Sequence, residues 1–153
     1  MRWFLPREIL KRKKVILHSS CILNKKNDKV FVFLGRSGAG KTTVAALKDG
    51  RKVLGDDMNL LSIVDASNVK IEAGVVGGAF IPEVNMGEAF KIDAFYWLIQ
   101  SDTNQIIECS KVEALKKLIV SMTGLFLEHD NHEREQVVFD MAEAILKEHK
   151  FFN

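Results

Sequence analysis

The residues best suited to chemistry in this chain form a glycine-rich stretch that ends in a lysine and two threonines. They match the pattern G-x-x-x-x-G-K-[ST], in which glycines let the backbone curl so that its N–H groups point at phosphate oxygens. The lysine of this pattern brings a positive charge to the β- and γ-phosphates, and the threonine offers its hydroxyl to Mg²⁺. The sequence therefore predicts a nucleotide-binding loop. Its residues are Gly35, Arg36, Ser37, Gly38, Ala39, Gly40, Lys41, Thr42 and Thr43.

Two neighbouring carboxylates follow this loop at a short interval. Asp56 lies fifteen residues after Lys41, and Asp57 comes next. One carboxylate at such a place can hold Mg²⁺ or its waters, and the other can accept a proton from an attacking hydroxyl. Switch-type GTPases and motor-type ATPases carry their acidic strand much further along, so the interval favours a compact kinase-like site. A polar turn that begins at Gly55 is the alternative interpretation.

His18 is a third candidate, because it lies within the run that we expect to pair with the strand before the loop. Imidazole can act as an acid or a base near neutral pH. A single histidine in a strand is more often a core or edge residue, so the local sequence alone favours the structural interpretation.

The elements that must position these side chains are short. Val30–Leu34 is a β-branched and aromatic run typical of a buried strand, and it leads directly into the loop. A helix is predicted from Lys41 to about Lys48, where Asp49-Gly50 ends it. Val15–Leu23 is predicted to form one strand that pairs with Val30–Leu34 through a polar hairpin tip. Arg51–Leu54 is predicted to be a short strand that delivers the two aspartates.

Further strands and two helices complete the chain. The predicted strands cover 58–64, 69–73, 91–100 and 105–108, and 74–87 is predicted to be a long functional or mobile loop. Ser110 and Glu113 form a capping box before one helix, and residues 130–133 offer a cap for the other. His129 and His132 beside acidic residues suggest a metal site, but a solvated helix cap explains them better. The apolar Phe151-Phe152 suggests that a terminal strand is missing or is supplied differently.

Length and composition favour one soluble domain over residues 1–153, with residues 1–10 as a short helix or an N-terminal arm. The chain is 47% hydrophobic and 27% charged, as in ordinary globular proteins. No run approaches the roughly 18 apolar residues of a membrane helix, and residues 15–23 make an unconvincing signal peptide. We expect a cytoplasmic protein without a membrane partner, in which Cys21 and Cys109 are free thiols.

Positive charge is concentrated in the N-terminal part of the chain. The net charge is +2, but the residues up to Leu34 include nine lysines and arginines against two acidic residues. The run Lys11–Lys14 could contact nucleic acid or an acidic partner. A solvated edge is the favoured interpretation, since no interleaved aromatic residues and no nucleic-acid motif accompany the run. We expect no nucleic-acid partner.

Three motifs together resemble a known family. His18-Ser19-Ser20-Cys21, the loop from Gly35 to Thr43, and Val53-Leu54-Gly55-Asp56-Asp57 resemble the C-terminal catalytic domain of HPr serine kinase/phosphorylase and its shorter relatives. These belong to the phosphoenolpyruvate-carboxykinase-like group. The stretches 92–100 and 109–115 are also similar, so the resemblance covers roughly residues 10 to 145. It implies an α/β (mixed α+β) fold with a phosphate-loop core, a mixed sheet, an N-terminal hairpin and C-terminal helices.

The resemblance also implies roles for individual residues. Asp56 is expected to be the base that takes the proton from an acceptor hydroxyl, or returns it in the reverse reaction. Lys41 is expected to stabilise the transferred phosphoryl group, Thr42 to bind Mg²⁺ and Asp57 to assist at the metal. His18 falls at the family's histidine near the active site. ATP and Mg²⁺ are the implied cofactors, and the acceptor is a hydroxyl, of serine, in a peptide or protein.

Departures from the family pattern leave alternatives open. The Glu-Ile-Arg-Gly segment, which supplies a metal-binding glutamate, has no clear match; Glu72, Glu83 and Glu88 are the candidates to replace it. One alternative is a small-metabolite kinase, for which we expect a parallel sheet flanked on both faces by helices. Another is a nucleotide-binding accessory module without catalysis. The full enzymes assemble as hexamers, so a homo-oligomer also stays open.

Overall fold

A computed structural model describes residues 4–47, 49–65, 68–123 and 132–153. Within these residues the chain forms four helices and nine strands. The helices are α1 (Phe4–Lys11), α2 (Lys41–Ala46), α3 (Lys111–Thr123) and α4 (His132–Glu148). The strands are β1 (Lys14–His18), β2 (Ser20–Asn24), β3 (Lys29–Leu34), β4 (Arg51–Gly55), β5 (Met58–Asp65), β6 (Asn68–Val76), β7 (Ala89–Lys91), β8 (Ala94–Trp97) and β9 (Lys150–Phe152).

The strands form two sheets of different character. Sheet A has the order β1-β5-β6-β7 and is antiparallel throughout. Sheet B has the order β4-β2-β3-β8-β9; β8 runs parallel to β3 and β9, whereas β2 runs antiparallel to β3 and β4. The predicted mixed α+β fold with a mixed sheet is therefore confirmed.

One hydrophobic core joins both sheets to α3 and α4. It includes Leu17 from β1, Val32 from β3, Phe95 from β8, Leu118 from α3 and Ile145 from α4, all of which are buried. Alternate residues of β3 point away from this core, as the two-residue period of a strand requires. Sheet B therefore has a core face and an outer face, and α2 packs on the outer one through Val44.

The prediction of one strand over Val15–Leu23 is wrong, because the chain changes sheets at Ser19. β1 pairs with β5 in sheet A, whereas β2 pairs with β3 and β4 in sheet B. Ser19 is buried between them; its N–H donates to the Asp57 carbonyl at 2.9 Å, and the Asn59 amide donates to its carbonyl at 2.6 Å. His18 therefore lies opposite Met58 and not in the strand beside β3.

A second change of sheet divides the strand that was predicted over residues 91–100. β7 belongs to sheet A and β8 to sheet B, and Asp93 between them accepts a hydrogen bond from the Val30 N–H at 2.8 Å. β6 also extends past its predicted end to Val76. Residues 105–108 do not form a strand. Within them, Glu108 pairs with Phe152 of β9 as an isolated bridge.

Several local predictions are confirmed. The hairpin of β2 and β3, the strand β4 and the two long C-terminal helices are present. α2 begins at Lys41 but ends at Ala46, two residues before its predicted end. The capping box is formed, since the Glu113 carboxylate accepts a hydrogen bond from the Ser110 N–H at 3.1 Å. One expectation is not met: Phe151 and Phe152, which suggested a missing or separately supplied terminal strand, themselves lie in β9 at the edge of sheet B.

Both cysteines are free thiols, as predicted. Cys21 is fully buried, and this burial raises the pKa of its thiol far above the usual range. Among the described residues no helix is both long and apolar enough to cross a membrane. The side chains of His129 and His132, and the acidic residues beside them, lie outside the described part of the chain.

The pairing of β9 generates a prediction about stability. Phe151 is buried and stacks on Phe95 with ring centroids 4.6 Å apart, whereas the half-buried Phe152 stacks on Tyr96 at the outer face. We expect Phe151→Ala to lower the free energy of unfolding by about 3–5 kcal/mol. Phe152→Ala should lower it by less than about 2 kcal/mol. Urea unfolding measures both, and equal losses would contradict the register of β9.

Candidate phosphate-transfer site

The topology of sheet B brings three connecting segments to the same end of its strands. β2 is antiparallel to both β3 and β4, so β4 runs parallel to β3, as does β8. The glycine-rich loop after β3, the aspartates after β4 and the segment after β8 therefore leave the sheet at the same end. The carboxyl ends of parallel strands are where α/β sheets bind ligands.

Three glycines of the predicted nucleotide-binding loop have positive φ. Gly35, Gly38 and Gly40 have φ values of 152°, 80° and 104°, in the left-handed region that side chains disfavour. The Lys41 ammonium donates to the carbonyls of Gly35 at 2.9 Å and Arg36 at 3.1 Å. This places a positive charge inside the curl of the loop. The Gln100 side chain, in the segment after β8, donates to the Gly38 carbonyl at 3.0 Å and tethers the loop.

Lys41 carries its charge at an energetic cost. Its side chain is largely buried, and this desolvation lowers the pKa of the ammonium; the nearby carboxylates of Asp57 and Asp56 act in the opposite direction. Two neutral carbonyls compensate a buried ammonium less well than an anion does. The loop is therefore suited to accept phosphate oxygens at Lys41.

Asp56 is the most constrained acidic residue of the site. It is 2% exposed, and its Oδ1 accepts hydrogen bonds from Ser20 Oγ at 2.5 Å and Thr42 Oγ1 at 3.5 Å. Its Oδ2 accepts one from the Ala79 N–H at 3.3 Å. The donors come from β2, from α2 and from the turn after β6. These three contacts fix the carboxylate directly beside the start of α2.

A glycine turn closes over the two aspartates. Gly77 and Gly78 have φ values of 86° and 82°. A Cβ at Gly78 would lie 2.2 Å from the Asp56 carbonyl oxygen, and one at Gly77 would lie 2.6 Å from Asp57 Oδ2. The start of the predicted 74–87 loop is thus packed against the site, and the adjacent glycine pair was the signal for this close approach.

Asp57 lies beside His18. It has a φ of 81°, uncommon for a residue with a side chain, and its Oδ1 lies 3.3 Å from His18 Nε2. Both side chains are partly exposed. The Thr42 hydroxyl lies 3.5 Å from Asp56 Oδ1, and the carboxylates of both Asp57 and Asp56 act on the Lys41 ammonium.

The described residues contain no group of three or more histidine, cysteine or acidic side chains that could hold a metal ion by themselves. Of the glutamates considered as a further ligand, Glu72 is bound to Lys14 through both carboxylate oxygens, at 2.7 and 2.9 Å. Glu83 and Glu88 are exposed. Any Mg²⁺ at this site would depend on Thr42, an aspartate and phosphate oxygens, which is a usual ligand set for this ion.

The geometry adds residues to which sequence reasoning gave no role. In the sequence Ser20 stands out only as part of the motif His18-Ser19-Ser20-Cys21, and no pattern points to Ala79. Both act on Asp56 across long distances in sequence, through one hydroxyl and one backbone N–H. No local pattern predicts such contacts, because they depend on which strands pair.

The chain is similar to a known family of enzymes. A family model described as phosphoenolpyruvate carboxykinase matches residues 1–92, more than half of the 153-residue chain. The matched stretch contains the loop, His18 and both aspartates. No curated protein sequence shows significant similarity to the chain.

The glycine turn generates a matched pair of substitutions. Gly78 and Gly87 have almost the same φ, 82° and 81°, but a Cβ at Gly87 would meet nothing within 4 Å. Gly87→Ala should cost only the backbone strain, about 1–2 kcal/mol. Gly78→Ala should lower the free energy of unfolding by at least about 1 kcal/mol more, since the turn must move away from Asp56. Equal losses in urea unfolding would show that the turn does not pack on the aspartate.

Proposed function

Because the chain belongs to the phosphoenolpyruvate carboxykinase family, we propose that it is a kinase that uses ATP and Mg²⁺ to phosphorylate a serine hydroxyl in a peptide or protein. That family consists of enzymes that use ATP and divalent metal ions, so phosphotransfer in general follows from membership. The hydroxyl acceptor is the proposed part. The observation that carries it is the buried Asp56 carboxylate beside Thr42, at the mouth of a loop that holds a buried lysine.

The residues present fit the proposed substrate and metal. Backbone N–H groups of a curled glycine loop and a buried ammonium suit phosphate oxygens, whereas hydroxyl and carboxylate oxygens suit Mg²⁺. Lys41 and the loop N–H groups would hold the phosphates, and Thr42 with an aspartate would hold the ion. Bound Mg²⁺ would supply charge neutralisation on the phosphates.

Asp56 would act as the general base. The acceptor hydroxyl gives its proton to the Asp56 carboxylate, and its oxygen forms a bond to the γ-phosphorus of ATP. The bond from that phosphorus to the bridging oxygen breaks, and ADP carries away the electron pair. Ser20 is a positioning residue, since its hydroxyl fixes Asp56 Oδ1. Lys41 would stabilise the phosphoryl group in transfer, so positioning and electrostatics supply most of the acceleration.

The architecture differs from that of the small-metabolite kinase class considered from the sequence. The alternative kinase class calls for a parallel sheet covered by helices on both faces, whereas sheet A is antiparallel and sheet B is mixed. The resemblance of the His18, loop and Asp56 motifs to HPr-kinase-like proteins also favours a serine acceptor. His18 lies beside Asp57 in this arrangement, at the rim of the proposed site.

The test is transfer to a pool of serine-containing peptides in the presence of ATP and Mg²⁺, read by mass spectrometry. Asp56→Asn should lower the transfer rate by about 10²–10⁴-fold while ATP binding persists, because general-base catalysis typically contributes that much. Lys41→Met should abolish ATP binding measured by calorimetry. Asp140→Asn, at an exposed position of α4 remote in sequence from these residues, is the matched control and should change neither.

Two results would overturn this function. One is full transfer activity in Asp56→Asn, provided that its melting temperature shows an intact fold. The other is ATP consumption with oxaloacetate but with no hydroxyl peptide, which would assign the acceptor to a small metabolite.

A further inference from the structure

The outer face of sheet B carries a groove of about 700 Å³ that the proposed chemistry does not use. Its floor is aromatic, with Phe31 and Phe33 of β3 beside Tyr96 of β8. Tyr96 stacks on Phe33 at 5.4 Å and meets Phe31 edge-on at 5.8 Å. α2 forms one wall and residues 103–107 form the other. The groove thus lies open over the centre of the sheet.

The rim of the groove is unusually apolar for exposed surface. Four of its lining residues, one directly after α2 and three in the segment after β8, are each more than half exposed. They are Leu47, Ile99, Ile106 and Ile107. Scattered apolar residues on a surface need no explanation, but a cluster around a concave floor is typical of an interaction site.

The end of the groove far from the nucleotide-binding loop is basic. The strand register places Arg51, Asn24 and Lys29 in one row across sheet B, on the same face as the aromatic floor. Lys25 and Lys26 follow in the hairpin tip. In the described part of the chain none of these four cations forms an ion pair, and two acidic residues adjoin them in sequence, Asp28 and Asp49.

We propose that this groove docks a segment of the phosphoryl acceptor in which apolar side chains are joined to acidic residues. The apolar side chains would cover Phe31, Phe33 and Tyr96, and the acidic residues would meet Arg51 and Lys29. The basic end and the end at the nucleotide-binding loop lie about five strand residues apart, which is roughly 16 Å. A peptide of about five extended residues would therefore span the groove. The concave shape suits a peptide chain better than a lipid surface. That the partner is the acceptor rests on the proposed function.

The position of the groove explains how docking would serve transfer. Its other end opens at Leu98 and Ile99, at the sheet edge where the phosphate loop begins. An acceptor held in the groove is therefore anchored next to the site through residues that do not react. Groove substitutions should raise KM for a docked peptide and leave kcat unchanged, which a merely structural defect would not do.

Docking is measured without phosphotransfer, by fluorescence anisotropy of a labelled peptide pool. Each peptide has four glutamates joined to leucine and phenylalanine and lacks hydroxyl residues; a control pool carries lysine in place of glutamate. We expect the acidic pool to bind. Ile106→Ser, and separately Arg51→Glu with Lys29→Glu, should weaken binding at least tenfold. Val112→Ser and Lys116→Glu, at exposed positions of α3, should not change it.

The outcomes separate docking from the proposed kinase activity. Binding with these variant effects supports the groove even if no peptide is phosphorylated, whereas transfer activity without binding of the acidic pool overturns the groove alone. Displacement of the peptides by an ATP analogue would overturn docking, because the groove would then belong to the nucleotide site. Self-association that Ile106→Ser abolishes would show that the groove binds a second copy of the chain. Binding of phosphatidylserine vesicles without binding of the peptides would assign the groove to a lipid surface.

Discussion

The hydrogen bonding of one buried carboxylate governs the arrangement of the site. An ionised group removed from water is tolerated only when its lone pairs are satisfied, and Asp56 obtains donors from Ser20, Thr42 and Ala79. These donors belong to three elements that are distant in sequence. Strand β2, the start of α2 and the turn after β6 must therefore meet at the end of β4.

This requirement gives a reason for the change of sheet at Ser19. If residues 15–23 formed one continuous strand, β1 could not pair with β5 while β2 paired with β4. The break lets Ser20 begin sheet B beside Asp56, while His18 ends sheet A beside Asp57. Ser19, between the two strands, donates a hydrogen bond to the backbone of Asp57 and accepts one from the side chain of Asn59. Both sheets are therefore fixed to the site at this one residue.

The sequence was informative where structure depends on neighbouring residues. Local chemistry predicts the start of α2 at Lys41 and the capping box at Ser110, and both are present. It also predicts the nucleotide-binding loop before α2. The division of 15–23 and of 91–100 between two sheets was not predicted, because both runs are continuously strand-like and their partners are remote. Among candidate site residues, Thr42 contacts Asp56 through a side-chain hydrogen bond, and the turn at Gly77-Gly78 packs on both aspartates. Neither contact follows from a local pattern, because each joins residues that are distant in sequence.

The most direct measurement is a crystal structure of the protein with Mg²⁺ and a non-hydrolysable ATP analogue. We expect Lys41 Nζ to leave the carbonyls of Gly35 and Arg36 for phosphate oxygens, with Thr42 at the metal and Asp56 facing the γ-phosphate. Phosphates bound elsewhere, with Lys41 still bonded to those two carbonyls, would contradict it.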